Sequence, residues 1–261
     1  MTKTIAVGGK GGTGKTLLAA LLIRYIIEND LGTVLAIDAD PSSNLHLALN
    51  LPLFETVGSI REEALQQVQR GSFPPGISKQ DYLDLRIYES LVESEKVDLL
   101  AMGRPEGPGC YCAANNILRL SIDRLAKQYD YVVIDCEAGM EHLSRRTTRD
   151  VDLLLLVTDP TVRGVMAAAR MQEMTQGLDT RAGKICLVVN MVEDGLPPAV
   201  EKAIAEGGLE LCGTIPRDPL VAEYDALGKP LVDLPPEAPV SKGVARLAAR
   251  LMDAFGGSKR R

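Results

Sequence analysis

A doubly wound α/β fold, one mainly parallel β-sheet flanked by helices, is what this sequence predicts. Three observations carry that expectation. Strand-length runs at Thr4–Val7, Thr33–Asp38, Val97–Met102, Tyr131–Asp135, Leu153–Thr158, Lys184–Asn190 and Leu211–Pro216 are mostly apolar at successive positions, as strands covered on both faces are. Helical patterns separate them, at Leu17–Ile27, Ser42–Asn50, Ala113–Gln128, Thr161–Gln176, Pro198–Glu206, Pro219–Leu227 and Val240–Phe255. A glycine-rich loop joins the first strand to the first helix.

That loop, Gly9 to Thr16, fits G-x-x-x-x-G-K-[ST], the phosphate-binding pattern. Gly9, Gly11, Gly12 and Gly14 let the backbone curl so that successive N–H groups, with that of Thr13, face phosphate oxygens. The helix N-terminus adds its partial positive charge. Lys15 reaches the outer phosphates and the Thr16 hydroxyl ligates magnesium. The expected ligand is a nucleoside triphosphate.

The second strand ends in Asp38-Ala39-Asp40-Pro41, two carboxylates that point the same way from extended chain. Beside a phosphate loop they can orient magnesium-bound water and an attacking water. Leu51 to Lys96 reads less plainly: Gly58–Gln69 is helical, Phe73–Ser78 is a Pro-rich connector, and mixed charge resumes from Asp81. It is either an insertion that meets a client protein or packing on the sheet edge.

After the Val97–Met102 strand comes Gly107-Pro108-Gly109-Cys110-Tyr111-Cys112. Thiols two apart in extended chain can reach one metal, and a helix N-terminus favours thiolate. Two sulfurs are half a tetrahedral shell, so a two-fold dimer sharing one four-thiolate site from Cys110 and Cys112 is the simplest completion. Inert packed cysteines or a disulfide are the alternatives. Asp135, at the tip of the Tyr131–Asp135 strand, can hold magnesium through water, and Gly139 allows close approach to the terminal phosphate. Cys136 reads as apolar filler and His142 as a hydrogen-bonded helix residue.

Thr158-Asp159-Pro160-Thr161 reads as a helix cap. Asn190 places an amide at the sheet's carboxyl edge, where it can pair with an adenine edge. The segment Asn190-Met191-Val192-Glu193 is not the N-K-x-D of guanine-binding proteins, which favours ATP. Cys186 and Cys212 fall inside strand patterns and read as core. The last helix carries Val240, Val244, Leu247, Leu251 and Phe255 on one stripe, expected to cover the sheet rather than a membrane.

Bulk properties agree. At 261 residues, 1–261 suits one P-loop domain without internal repeats. A net charge of −6 argues against a broad nucleic-acid footprint. With no signal-like N-terminus and no membrane-length apolar run, the expectation is a cytoplasmic protein without a membrane partner. Five cysteines, an odd number, point to thiol or metal chemistry more than to a disulfide framework.

A second lysine in the loop, Gly9-Lys10-Gly11-Gly12-Thr13-Gly14-Lys15-Thr16, resembles the deviant Walker A loop of the MinD, ParA and nitrogenase iron-protein superfamily. The deviant loop, Gly109-Cys110-Tyr111-Cys112, and Glu137-Ala138-Gly139-Met140-Glu141-His142-Leu143-Ser144-Arg145 together resemble the CooC/AcsF family, closest to the AcsF branch. The likeness runs across nearly the whole chain. It implies a homodimeric ATPase that inserts nickel into carbon monoxide dehydrogenase or acetyl-CoA synthase, the client being either or both. It implies that Lys10 crosses the dimer interface to the partner's nucleotide and that Asp40 positions the hydrolytic water. Asp38 then lies near the metal's water shell, and Asp135 belongs to a second switch. Nickel or zinc is implied at Cys110 and Cys112 between subunits. The loop Ile215–Asp218 is implied to wrap the base, with Pro216, Arg217 and Asp218 in it; Arg217 covers the base or is a plain surface arginine. Two other readings are kept: an iron–sulfur carrier or reductase of the nitrogenase iron-protein type, and a MinD- or ParA-like partitioning ATPase.

Overall fold

The computed structural model describes residues 1–103, 120, 122–138, 150–176 and 181–256. Among them lie seven strands: β1 (Lys3–Gly9), β2 (Val34–Asp38), β3 (Val97–Ala101), β4 (Tyr131–Ala138), β5 (Asp150–Thr158), β6 (Arg181–Val192) and β7 (Leu211–Pro216). They form a single sheet in the order β3-β2-β4-β1-β5-β6-β7, and every pairing is parallel. Such a sheet needs cover on both faces.

The strand sequences supply it by alternation. Ile5, Val7, Val34, Ala36, Val133, Leu155 and Val188 pack on one face with α1 (Lys15–Glu28). Ala6, Leu35, Ile37, Val132, Ile134, Leu156 and Val189 face the other way. Two apolar layers per strand are why the strands read as unbroken apolar runs.

Helix α1 is apolar nearly all round and buries Leu17, Leu18, Leu21, Leu22, Ile23 and Ile26. Each such side chain contributes about 1.5–3 kcal/mol by leaving water, and truncating Leu22 to alanine costs about 2–5 kcal/mol. The helix stops at Asn29, whose N–H bonds to the Tyr25 carbonyl, before Asp30 turns left-handed at φ 53°.

Short α2 (Leu45–Ala48) occupies only the middle of the expected Ser42–Asn50 helix. Upstream, Ser43 is left-handed at φ 48°, and the Asp40 side chain accepts from the Ser42 N–H, so a turn replaces the first helical residues. Then α3 (Val57–Gln69) and α4 (Lys79–Glu89) follow. They make a hairpin with its own core of Ile60, Ala64, Tyr82 and Leu83, closed by Phe73 and Ile77 from the Pro-rich connector. Val57 and Ile87 root it on the sheet, and the Gly58 N–H bonds to the Met102 carbonyl beyond β3. Residues 51–96 therefore pack against the β3 edge. Arg86 ties the hairpin through Glu55, Glu63 and Glu89 at 2.7, 2.9 and 3.0 Å.

Residues 122–126 are helical. Helix α5 (Val162–Gln176) follows β5, and the Thr161 hydroxyl caps it by accepting from the Gly164 N–H at 3.0 Å. Helices α6 (Pro198–Glu206) and α7 (Pro219–Leu227) match the expected bounds. Helix α8 (Pro239–Gly256) buries Val240, Val244, Leu247 and Leu251 beside α1. A 3-10 turn at Leu231–Asp233 precedes it, and Arg24 of α1 donates to the Val232 and Leu234 carbonyls.

One expectation is corrected. Cys186 is core, but Cys212 is half-buried, and the two are joined by a disulfide across β6 and β7. Neighbouring parallel strands bring their Cα atoms to 5.5 Å, which suits the bond. No pattern in the sequence pairs cysteines 26 positions apart.

Candidate functional site

The carboxyl ends of β1, β2 and β4 meet at one place because the three strands are adjacent and in register. Asp38 and Asp135 are direct ladder partners, and Val7 of β1 pairs with Asp135 on its other side. The glycine-rich loop springs from β1 between them and β5.

Two glycines are demanded by the loop's surroundings. A Cβ on Gly9 would stand 2.2 Å from the Val157 carbonyl oxygen of β5, and one on Gly14 would stand 2.3 Å from Asn190 Nδ2. Gly14 is also left-handed at φ 89°. As the N-cap of α1 it has no side chain to accept from the first turn, so those N–H groups stay available to an anion.

Lys15 is buried and its Nζ donates to the Lys10 carbonyl at 3.3 Å, holding the ammonium over the loop. The Thr13 hydroxyl donates to the same carbonyl at 2.9 Å. The Lys10 side chain itself is exposed, as are Gly11 and Gly12.

Thr16 donates to Asp135 Oδ2 at 2.6 Å, joining the start of α1 to the end of β4. The other oxygen, Oδ1, is buried with no hydrogen-bond partner among the described residues. A buried carboxylate oxygen of this kind calls for a donor or a cation. With the Thr16 hydroxyl beside it, the donor set is all hard oxygen and fits Mg2+ held through water. Burial pushes Asp135 up to about 6, against the pull of the Thr16 hydrogen bond and the Lys15 charge.

Asp38 is fully buried and accepts from two backbone donors, Leu45 N–H at 2.8 Å and Asp40 N–H at 3.1 Å. Burial nonetheless pushes it up to about 7; the backbone donors oppose that, and the Asp135 and Asp40 carboxylates add to it. Its structural work is to start α2 and shape the turn that carries Asp40. Asp40 lines the cavity.

That cavity, of about 580 Å³, has Gly11, Gly12, Gly14, Lys15, Thr16 and Asp40 on one side. The far wall is Met191, Val221, Asp225, Gly228, Lys229 and Leu231, with Asn44 and Leu47 closing the end. The expected site lacked this wall. Its one visible signal is position, since Asn44 and Leu47 follow β2, Met191 lies at the carboxyl end of β6, and Val221 to Leu231 follow β7.

Asn190 lies 3% exposed against the loop. Its Nδ2 donates to the Thr13 carbonyl at 2.9 Å and its Oδ1 accepts from the Met191 N–H at 2.9 Å. It braces the loop. Pro216 ends β7, and the Arg217 N–H bonds to the Val192 carbonyl. The Arg217 guanidinium is exposed and pairs with Glu193 at 2.8 Å, beside a second cavity of about 600 Å³ that meets the first at Met191.

Asp218, expected in the loop around the base, also has a structural role. It is buried, and its oxygens accept from Leu220 N–H at 3.1 Å and Val240 N–H at 3.2 Å, so it caps α7 and ties it to the start of α8. Cys136 is buried in the core, with its thiol pushed up by burial, in keeping with filler. Cys110, Cys112, Gly139, Glu141, His142 and the Arg145-Arg146 pair lie outside the described residues.

Comparison with known proteins agrees with this geometry. Residues 4–231 match the model of the CobQ/CobB/MinD/ParA nucleotide binding domain. An uncharacterized ATP-binding protein of Methanocaldococcus jannaschii is 45% identical over 249 residues, covering 95% of this chain and 98% of that protein. The carbon monoxide dehydrogenase accessory protein CooC of Rhodospirillum rubrum is 31% identical over 259 residues, covering 95% of each. The septum site-determining protein MinD of Pyrococcus horikoshii, solved with Mg-ADP, superimposes with a TM-score of 0.70 over 100% of both chains; at 23% identity that likeness concerns the fold alone. The chain is a P-loop nucleotide-binding protein that belongs to the CobQ/CobB/MinD/ParA family.

Proposed function

We infer that this protein is a homodimeric ATPase that carries nickel to carbon monoxide dehydrogenase or acetyl-CoA synthase. The observation that carries the reading is the end-to-end similarity to CooC, named as a carbon monoxide dehydrogenase accessory protein, in a chain that also has Cys110 and Cys112. The reaction is transfer of the terminal phosphoryl group of ATP to water.

Lys15 exchanges the Lys10 carbonyl for phosphate oxygens and carries their charge. First-turn N–H groups of α1 bind the bridging phosphates. Thr16 and Asp135 would hold magnesium, which would supply positive charge to the outer phosphates. Asp40 orients the attacking water, held in place by its turn to Ser42 and by the Asp38 carboxyl behind it. Exposed Lys10 reaches the partner's nucleotide, so that hydrolysis awaits dimerisation. Two thiolates from each protomer complete a four-sulfur shell for nickel, the cargo.

Turnover and nickel transfer are tested together. Purified chain, loaded with nickel and given ATP, is expected to activate a nickel-free dehydrogenase or synthase. Lys10→Ala should abolish activation and hydrolysis while sparing ATP binding. Activation that proceeds equally without ATP would overturn the reading. A brown, iron-dependent chromophore in anaerobically purified protein would instead favour the cluster-carrier alternative.

A further inference from the structure

Away from the nucleotide cavity, β6 and β7 bring two sulfurs and a carboxylate together. Cys186 and Cys212 are joined between the two strands, and Glu210 precedes Cys212 by two residues. One ligand atom from each of the three lies within 4.8 Å of the other two. The arrangement is held from outside. Lys184 Nζ bonds to Glu210 Oε1 at 2.7 Å, and the Leu187 N–H bonds to the Glu210 carbonyl at 2.7 Å. Glu210 Oε2 is not the atom that Lys184 holds, so a carboxylate oxygen remains for another partner.

We propose that Cys186, Glu210 and Cys212 form a redox-gated cation site that takes one thiophilic divalent ion, of the zinc class, within a single protomer. Two thiolates and a carboxylate are three donors of a four-coordinate shell, which leaves one position open. The Cα separation of 5.5 Å, fixed by the sheet, keeps both sulfurs in reach of one ion after the disulfide opens. Cys186 is buried whereas Cys212 and Glu210 reach the surface, so an ion enters from the β7 side.

The disulfide is the closed form. A dithiol reductant breaks the Sγ–Sγ bond, is itself oxidised to a disulfide, and leaves two thiols. Cation binding then displaces both thiol protons to solvent. A low-molecular-weight disulfide reverses the gate: exchange re-forms the Cys186–Cys212 bond, yields two small thiols, and expels the ion. The site stands independently of the nickel reading, because it uses neither Cys110 nor Cys112.

The test uses the full chain carrying Cys110→Ser and Cys112→Ser, reduced with a dithiol and desalted without oxygen. Zn2+ is titrated against a chromophoric chelator, with native mass measured alongside. The expected result is one Zn2+ per chain on the monomer, lost on oxidation by a small disulfide and lost in Cys212→Ser. Glu210→Gln, a surface change that keeps both sulfurs, should weaken binding about tenfold or more, the scale on which metal sites lose affinity when a supporting group goes. No Zn2+ uptake by the reduced chain, uptake unchanged by Cys212→Ser, or uptake that persists after oxidation would each overturn the proposal.

Discussion

Replacing Asn190 by alanine separates two jobs that a residue at the carboxyl edge of β6 could do. Its carboxamide donates to the Thr13 carbonyl and accepts from the Met191 N–H, both at 2.9 Å, and Thr13 is 2% exposed. Alanine leaves the Thr13 carbonyl unpartnered in a dry place, at a cost of about 1–3 kcal/mol to the loop conformation that receives phosphate. At 1.4 kcal/mol per tenfold, that is a roughly 5- to 150-fold loss of affinity. Asn190→Asp should be worse still, because it sets a carboxylate oxygen against the Thr13 carbonyl. The assay is calorimetric titration with ATP and, in parallel, with inorganic tripolyphosphate, which has no base. A brace predicts that both ligands weaken by the same factor. If ATP weakens while tripolyphosphate binds as before, Asn190 reads adenine and the bracing argument is wrong.

Two further outcomes are expected. Asp218→Ala removes the acceptor for Leu220 and Val240 N–H groups, at about 1 kcal/mol each and more for the buried one, so Tm should fall by about 5–10 °C. Nucleotide affinity of the folded protein should be unchanged; a selective loss of affinity without loss of Tm would make Asp218 a ligand contact. Stability of the nucleotide-free chain should fall as pH rises from about 4 to 7, because burial holds Asp38 at about 7 in the fold against 3.8 when free, so the unfolded chain gives up that proton first. The gap, at 1.36 kcal/mol per pH unit, sets an upper limit of about 4 kcal/mol, and Asp135 at about 6 acts in the same sense. Denaturant melts across that range check it: Asp38→Asn should flatten the slope, and an equal slope in both proteins would contradict the assignment.

The sheet could be read from sequence because parallel strands buried on both faces leave unbroken apolar runs, and β5 or β6 cannot hide among helices. The loop Gly9 to Thr16 was legible for a different reason: its function is carried by backbone, which fixes glycine positions. What escaped depends on contacts between distant residues. Nothing near Asn190 announces Thr13, 177 positions away, and nothing near Asp218 announces the Val240 N–H it caps. The Asp40–Ser43 turn shortened the expected helix because Asp40 and a left-handed Ser43 make a local turn that the apolar period does not report. The hairpin of α3 and α4 was ambiguous because its small core of Tyr82, Leu83 and Ile60 is separate from the sheet's two layers.

The central claim is that a shared thiolate site joins two protomers under control of ATP. It is tested most directly by native mass measurement during nickel titration of the reduced Cys212→Ser chain, with ATP, with ADP and without nucleotide. The account predicts one nickel per two chains, on dimers, favoured by ATP and absent from Cys110→Ser or Cys112→Ser. One tightly held nickel on a monomer, still dependent on those two cysteines, would contradict it.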